Sequence, residues 1–390
     1  MKPKIRFKGF EGEWKASIIG DFCSVSIGEF VIKTKQNDNA PYPVYNGGSS
    51  YTGFYENYNQ EGPKVIVSAR GANAGFVNYC KKNFWAGNSC YSIATKDNRN
   101  LKFLYHCLKK NQSTYLNNQQ AANIPSISKK DIQETILMMP KSFEQQAIAS
   151  YFTSLDSQIS ASTSRLASLK QMKAASLQAM FPQEGETVPK IRFQNNRWQK
   201  YKVGDLCDLL TGYPFPGDKI LTKGKDLLMR GINITEGSIR HSNEIDRYYN
   251  EDTIGLEKYR LQVGDLVIGM DGSKVGKNSA LVTSKEKNSL LVQRVARLRN
   301  EDKNLIKLIQ IAVGSDNFIK YVEEMKTSSA IPHISPADIR NFPLSLPEDS
   351  NERRLIASYF TSLDRQISLQ SQRLEKLKQI KSACLDKMFV

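Results

Sequence analysis

At 390 residues the chain is longer than one ordinary domain and suits two or more. Its formal net charge of +16 attracts polyanions without saying which. No apolar run reaches the roughly 18 residues of a membrane-spanning helix, and MKPKIRFKGF (Met1–Phe10) lacks the apolar stretch of a signal peptide, so a cytoplasmic protein is expected.

Taken in order, the chain opens with PKIRF (Pro3–Phe7), Trp14 and GDFC (Gly20–Cys23). Short apolar runs such as Val65-Ile66-Val67, bounded by Gly, Asn and Asp, predict strands, and Leu101–Leu116 predicts a helix. IPSIS (Ile124–Ser128) precedes Asp131-Ile132, and Pro140 follows. From Glu144 to Phe181 there is no Pro or Gly, and Phe152, Leu155, Ile159, Leu166, Leu169, Leu177 and Met180 recur at steps of three and four or sums of these. Such a narrow apolar stripe, with a period near 3.5, predicts a coiled-coil seam rather than the wide face of a core helix. At 1.5 Å per residue the helix would be a rod of roughly 55 Å. Pro182-Gln183-Glu184-Gly185-Glu186-Thr187 ends it and reads as a linker.

The second half repeats the first. PKIRF returns at Pro189–Phe193, followed by Trp198 and GDLC (Gly204–Cys207). Leu266-Val267-Ile268 predicts a strand and Leu305–Met325 a helix. IPHIS (Ile331–Ser335) precedes Asp338-Ile339 and Pro347. EQQAIASYFTSLDSQIS (Glu144–Ser160) reappears as ERRLIASYFTSLDRQIS (Glu352–Ser368), and LASLKQMKAASLQAMF (Leu166–Phe181) as LEKLKQIKSACLDKMF (Leu374–Phe389). The boundaries expected are a globular domain over 1–143, a rod over 144–182, a second domain over 183–351 and a second rod over 352–390. A stripe this narrow needs a partner helix. The other copy suits it best, although two amphipathic helices packed on separate domains would also satisfy the pattern.

Two loops recur inside the globular parts. Val44-Tyr45-Asn46-Gly47-Gly48 corresponds to Leu228-Met229-Arg230-Gly231-Ile232-Asn233. Ser68-Ala69-Arg70-Gly71-Ala72-Asn73-Ala74-Gly75 corresponds to Gly269-Met270-Asp271-Gly272-Ser273-Lys274-Val275-Gly276. In the second pair the glycines are kept and the residues between them exchanged, so Asn73 stands against Lys274. Arg, Lys and Asn held between glycines offer donors to base edges and phosphates. An ordinary turn with solvated side chains is the alternative. His333 stands where the first half has Ser126, either as a contact residue or as a solvated loop residue.

Catalytic chemistry is not recognisable. There is no phosphate-binding loop, since Gly276-Lys277 lacks the upstream glycine and the hydroxyl, no GxGxxG, and no Pro-Pro pair of an amino-methyltransferase motif. His106, His241 and His333 are scattered, and His106 is expected to be half-buried. Cys23, Cys80, Cys90, Cys107, Cys207 and Cys384 show no metal spacing and read as reduced packing thiols. A coiled-coil adaptor whose globular domains bind protein rather than DNA, and a nuclease with an unrecognised site, stay open on these grounds.

The two rods, IPSIS and IPHIS, GDLVIGMDGSKVGK (Gly264–Lys277) and TGYPFPGD (Thr211–Asp218) together resemble the specificity subunit of a type I restriction–modification system. The resemblance covers nearly the whole chain. It implies an α+β fold: two similar globular mixed-sheet target-recognition domains, separated by two long antiparallel helices that form a coiled coil, with a pseudo-two-fold internal repeat. It implies a non-catalytic subunit without cofactor that reads a split, asymmetric target, one half-site per domain. Its partners would be double-stranded DNA, two copies of the modification (methyltransferase) subunit and the ATP-dependent restriction subunits, with no membrane. On that reading Tyr45, Asn46, Arg70, Asn73, Tyr213, Arg230, Asn233, Lys274, Lys277 and His333 are the candidate DNA-binding residues. The cyclic order of the halves also predicts that Met1 and Val390 lie near each other.

Overall fold

The computed structural model describes residues 1–97, 99–117, 125–183, 185–272, 274–325 and 333–390. Of the motifs above, Ile124, Glu184, Ser273, Ile331 and Pro332 lie outside the described residues. The chain divides into two compact units, Met1–Leu166 with Leu369–Val390, and Ala167–Ser368.

The first unit is built on a four-stranded antiparallel sheet in the order Cys23–Ile27, Cys90–Thr95, Lys64–Ser68, Val77–Cys80. The predicted run Val65-Ile66-Val67 is its fully buried centre. A three-stranded sheet places Tyr42–Tyr45 between Gly53–Tyr55 and, in parallel, Trp85–Ala86. Lys15–Ile18 pairs with Ile136–Met139. The second unit repeats each of these. Asp208–Thr211, Val295–Arg299, Leu266–Gly269 and Ser279–Leu281 form its four-stranded sheet. Asp226–Met229 lies between Tyr248–Tyr249 and the parallel Leu290–Leu291, and Trp198–Lys202 pairs with Pro343–Pro347.

Helices cover one side of each four-stranded sheet, where Phe103, Leu104 and Leu108, or Ile306, Leu308 and Ile309, are buried in the cores. The expected single helices are each broken in two. Leu101–Lys110 gives way to Gln112–Asn117 at Asn111, and Lys303–Val313 to Asp316–Met325 at Gly314-Ser315. The second break has a local cause: Gly314 ends one helix, and the Ser315 hydroxyl accepts from Phe318 N–H at 3.4 Å to start the next. The closure motifs lead into short helices fixed by reciprocal caps, Ser128 with Asp131 and Ser335 with Asp338.

The long helices span Ser142–Met180 and Ser350–Met388. Within the first unit the Tyr151 hydroxyl meets Cys384 Sγ at 3.4 Å, Asp156 meets Lys381 Nζ at 2.5 Å, and Gln370 Nε2 donates to Ser162 Oγ at 2.6 Å. Ascending numbers on one helix meet descending numbers on the other, so they run antiparallel. Within the second unit the repeat-related bonds appear: Ser176 Oγ to the Tyr359 hydroxyl at 2.8 Å, and Lys173 Nζ to Asp364 at 2.6 Å. The predicted stripe is the buried one, with Phe152, Leu155, Leu169 and Met180 on the first helix and Phe360, Leu363, Leu374 and Met388 on the second.

The ends of the chain meet as predicted. Ile5 N–H donates to the Lys387 carbonyl at 2.9 Å, and Phe389 stands edge-on to Trp14 at 6.4 Å. The second unit makes the same arrangement across the linker, with Ile191 N–H on the Ala179 carbonyl at 2.8 Å and Phe181 edge-on to Trp198 at 6.3 Å.

Candidate nucleic-acid interface

In each unit three loops and the closure motif converge at one end of the sheets. In the first unit the loop after Lys64–Ser68 is anchored on both sides. Ala69 N–H donates to the Ser89 carbonyl at 2.8 Å, and Ile127 N–H to the Ala69 carbonyl at 2.9 Å, while Arg70 forms a strand-like bridge with Ser126. In the second unit Met270 N–H donates to the Arg294 carbonyl at 2.9 Å, Ile334 N–H to the Met270 carbonyl at 2.9 Å, and Asp271 bridges His333. The loop after the middle strand of the three-stranded sheet joins the same cluster. A Cβ on Gly47 would lie 2.8 Å from the Arg70 carbonyl oxygen.

The glycine frame has a physical reason. Gly71 and Gly272 have φ of +89° and +94° with open space around them, so they are needed for their conformation alone. Gly75 and Gly276, at φ +89° and +87°, also pack closely: a Cβ would stand 2.8 Å from Ile127 Cδ1 in one unit and 3.2 Å from Val322 Cβ in the other. The frame fixes the backbone path and leaves the intervening side chains exchangeable.

The ten candidate residues separate into two groups. Arg70 in the first unit and Lys274, Lys277 and His333 in the second are exposed, with no side-chain hydrogen bond or ion pair among the described residues, and Asn73 in the first unit is half-buried. The others have internal partners. Tyr45 is half-buried with its ring edge-on to Phe84 at 5.6 Å, and burial, followed by the neighbouring Cys80, raises its phenol pKa. Asn46 accepts from Ser89 N–H at 3.2 Å, tying two loops together. Tyr213 packs against Phe215 and Tyr259 at 5.0 and 5.4 Å. Arg230 is half-buried and donates to the Ile245 carbonyl at 3.5 Å. Asn233 corrects the expectation outright. It is 0% exposed, its Oδ1 accepts from Arg230 N–H at 3.3 Å, and its Nδ2 donates to Asp246 at 2.9 Å, so no group is left for DNA.

Asn233 belongs to a network that holds the Arg230 loop. Asp246 also meets His241 Nδ1 at 3.1 Å, and His241 Nε2 meets Glu286 at 3.0 Å. Burial opposes ionisation of Glu286, but hydrogen bonds from Thr283 and His241 outweigh it and hold the carboxyl below its ordinary range. His106 lies outside the interface. It is 2% exposed rather than half-buried, faces Phe152 at 4.7 Å, and is pushed down to about 3 by burial, then by Lys381 and Lys102. Among the described residues no group of His, Cys, Asp and Glu could hold a metal, and no helix is long and apolar enough to cross a membrane.

Sequence reading passed over the third loop, Gly87-Asn88-Ser89 in one unit and Val292-Gln293-Arg294 in the other. Aligning WAGNSC (Trp85–Cys90) with LLVQRV (Leu290–Val295) would have found it, but the two share no residue.

The fold and the matched loop clusters define a duplicated α+β protein with one set of convergent loops per module. The family described as type I restriction modification DNA specificity domain matches residues 11–171 and again 195–379. The chain belongs to that family. It is 28% identical over 161 residues to the specificity subunit of the type I restriction enzyme EcoAI of Escherichia coli, covering 40% of this chain and 27% of that protein. It is 20% identical over 317 residues to the EcoBI specificity subunit of the same organism, covering 74% and 66%. The matched parts thus span from about a quarter to two thirds of these relatives. The fold is shared with the crystal structure of a type I restriction–modification system S subunit from M. genitalium, with a TM-score of 0.76 at 18% identity over 100% of this chain and 99% of that one. A structure determined in work on the assembly of the type I system matches with a TM-score of 0.51 at 13% identity, over 97% and 98%.

Proposed function

We propose that this chain is the non-catalytic, DNA-reading subunit of a cytoplasmic type I restriction–modification assembly. Each unit reads one half-site of a split target, and partner subunits carry out adenine methylation and restriction. The partners are two copies of a modification subunit and the ATP-dependent restriction subunits. The observation that supports this reading is the duplicated loop cluster. The backbone frame is the same in both units, while the side chains on it differ: exposed Arg70 against half-buried Asp271, half-buried Asn73 against exposed Lys274, half-buried Ser126 against exposed His333. Constant frames with exchanged donors suit base-edge readout, and different contents imply different half-sites. The net charge of +16 favours the phosphate backbone.

The test is to co-express the chain with its modification subunit and sequence the methylated adenines. A two-part asymmetric motif is expected. If Arg70 reads a base, Arg70→Ala should cost about 1–3 kcal/mol and relax one position of one half-site. If it holds a phosphate, affinity should fall evenly and the salt slope should drop by about one. Absence of a two-part motif, or unchanged methylation in alanine variants of Arg70, Lys274, Lys277 and His333, overturns the reading.

A further inference from the structure

We infer that Arg294 is a specificity-determining base contact of the second unit, an inference that rests on the function proposed above and names a residue for it. Arg294 has φ of +69°, in the left-handed region that costs a side-chain-bearing residue conformational energy. Glycine takes this conformation readily, and asparagine tolerates it. Among the described residues the other non-glycine residue in this region is an asparagine, Asn288 at φ +67°. An arginine gains nothing from this backbone and is not favoured there.

The surroundings hold the strained conformation in place. Val295 N–H closes a turn onto the Val292 carbonyl at 3.2 Å, and the Arg294 carbonyl accepts from Met270 N–H at 2.9 Å. That bond joins Arg294 directly to the residue before Asp271, whose bridge to His333 forms the neighbouring edge of the cluster. The side chain is exposed, and among the described residues its guanidinium has no partner. No internal contact therefore accounts for an arginine here. In the first unit the same position is Ser89, whose carbonyl accepts from Ala69 N–H at 2.8 Å beside the bridged Arg70 and Ser126. The turn and the bond to the neighbouring loop are kept, with Cys90 N–H on the Gly87 carbonyl at 3.1 Å, but Ser89 is not at positive φ; a short hydroxyl on relaxed backbone is exchanged for a planar cation on strained backbone. A guanidinium presents two parallel donors that match the O6 and N7 acceptors of guanine in the major groove.

Glycine substitution separates the backbone from the side chain. In the assembly with the modification subunit, Arg294→Gly should unfold at the same temperature as the parent or higher, because it removes the strain. Binding and methylation of oligonucleotide duplexes varied one position at a time should lose about tenfold or more of the discrimination at one position of one half-site, with the other half-site unaffected. Arg294→Lys, which keeps the charge but not the fork, should lose the discrimination while retaining more affinity than the glycine variant. An even loss of affinity across all duplexes would make Arg294 a phosphate contact and overturn the assignment. So would unchanged discrimination in an assembly whose parent form is selective. A parent assembly that recognises no two-part target would sink the proposed function, and this assignment with it.

Discussion

Two repeat-related glutamates show how much a single buried group depends on its neighbours. Glu144, 2% exposed, receives a two-pronged bond from Arg6, Nε at 2.7 Å and Nη2 at 2.6 Å, and accepts from the Trp14 indole at 3.4 Å. Its image Glu352 is 0% exposed and accepts only from Gln194 N–H at 3.4 Å, while its Oε2 and the Trp198 Nε1 have no hydrogen-bond partner among the described residues. Arg192, the image of Arg6, is exposed. The loops differ in a way that accounts for this. The first has two more residues between PKIRF and its Trp, with Gly9 and Gly12 at positive φ, and it wraps the Glu11 and Gly12 carbonyls onto the remaining guanidinium N–H groups. A buried carboxylate oxygen without a partner costs about 1–3 kcal/mol. Glu352→Met should therefore stabilise the chain by roughly that amount, whereas Glu144→Met should destabilise it by stripping Arg6 of its anion. Equilibrium denaturation of the two variants checks this, and a shift of the same sign in both would show that the two sites do not differ.

Between the long helices, ion pairs repeat along an apolar seam. Asp364 takes bonds from Lys173 at 2.6 Å and from Lys307 at 2.6 Å. Burial raises its pKa, but the two lysines outweigh burial and hold it below the ordinary 3.8. A depressed folded value means that stability is fully present above the unfolded pKa and is lost as pH falls through the folded one. Asp364→Asn should lower the unfolding temperature at pH 7 and by less at a pH well below the ordinary 3.8. Thermal scans at the two pH values measure this, and an equal effect at both would remove the ionised carboxylate from the explanation. The seam also contains one polar step, Ser162 opposite Gln370, 5% and 9% exposed. A buried polar pair among apolar layers opposes slippage of one helix along the other.

The halves are cyclically equivalent, and the bonds at their junctions say the same. Ile5 on Lys387 and Ile191 on Ala179 are one contact made twice, first between residues near the two ends of the chain and then across the 183–187 linker. A circular permutant that joins Val390 to Met1 by a short flexible linker and opens between Gln183 and Glu186 breaks, among the described residues, no hydrogen bond outside the linker itself. It should fold, and on the function proposed above its assembly with the modification subunit should methylate the same motif as the parent. Loss of folding, or a changed motif, would show that one junction is not interchangeable with the other.

The duplication, the rods, the central strands, the glycine frame and the closure motifs were all legible in the sequence, because each depends on residues close together in the chain. A helical stripe is set by neighbours three and four apart, a cap by residues three apart, and a positive φ by the glycine itself. The Gly314-Ser315 break was written in the same local terms, and the apolar period running through it concealed it. Which polar side chains reach solvent was not legible. Asn233 and Arg230 stand in one loop of similar composition, yet strand pairing and the Asp246–His241–Glu286 network bury the first and leave the second half-exposed. The Arg6–Glu144 pair joins residues 138 apart, and the Arg294 conformation depends on Met270 from another strand end. Such pairings arise only when sheet register and helix packing bring distant segments together, so the tertiary fold decides which donors remain free for a partner.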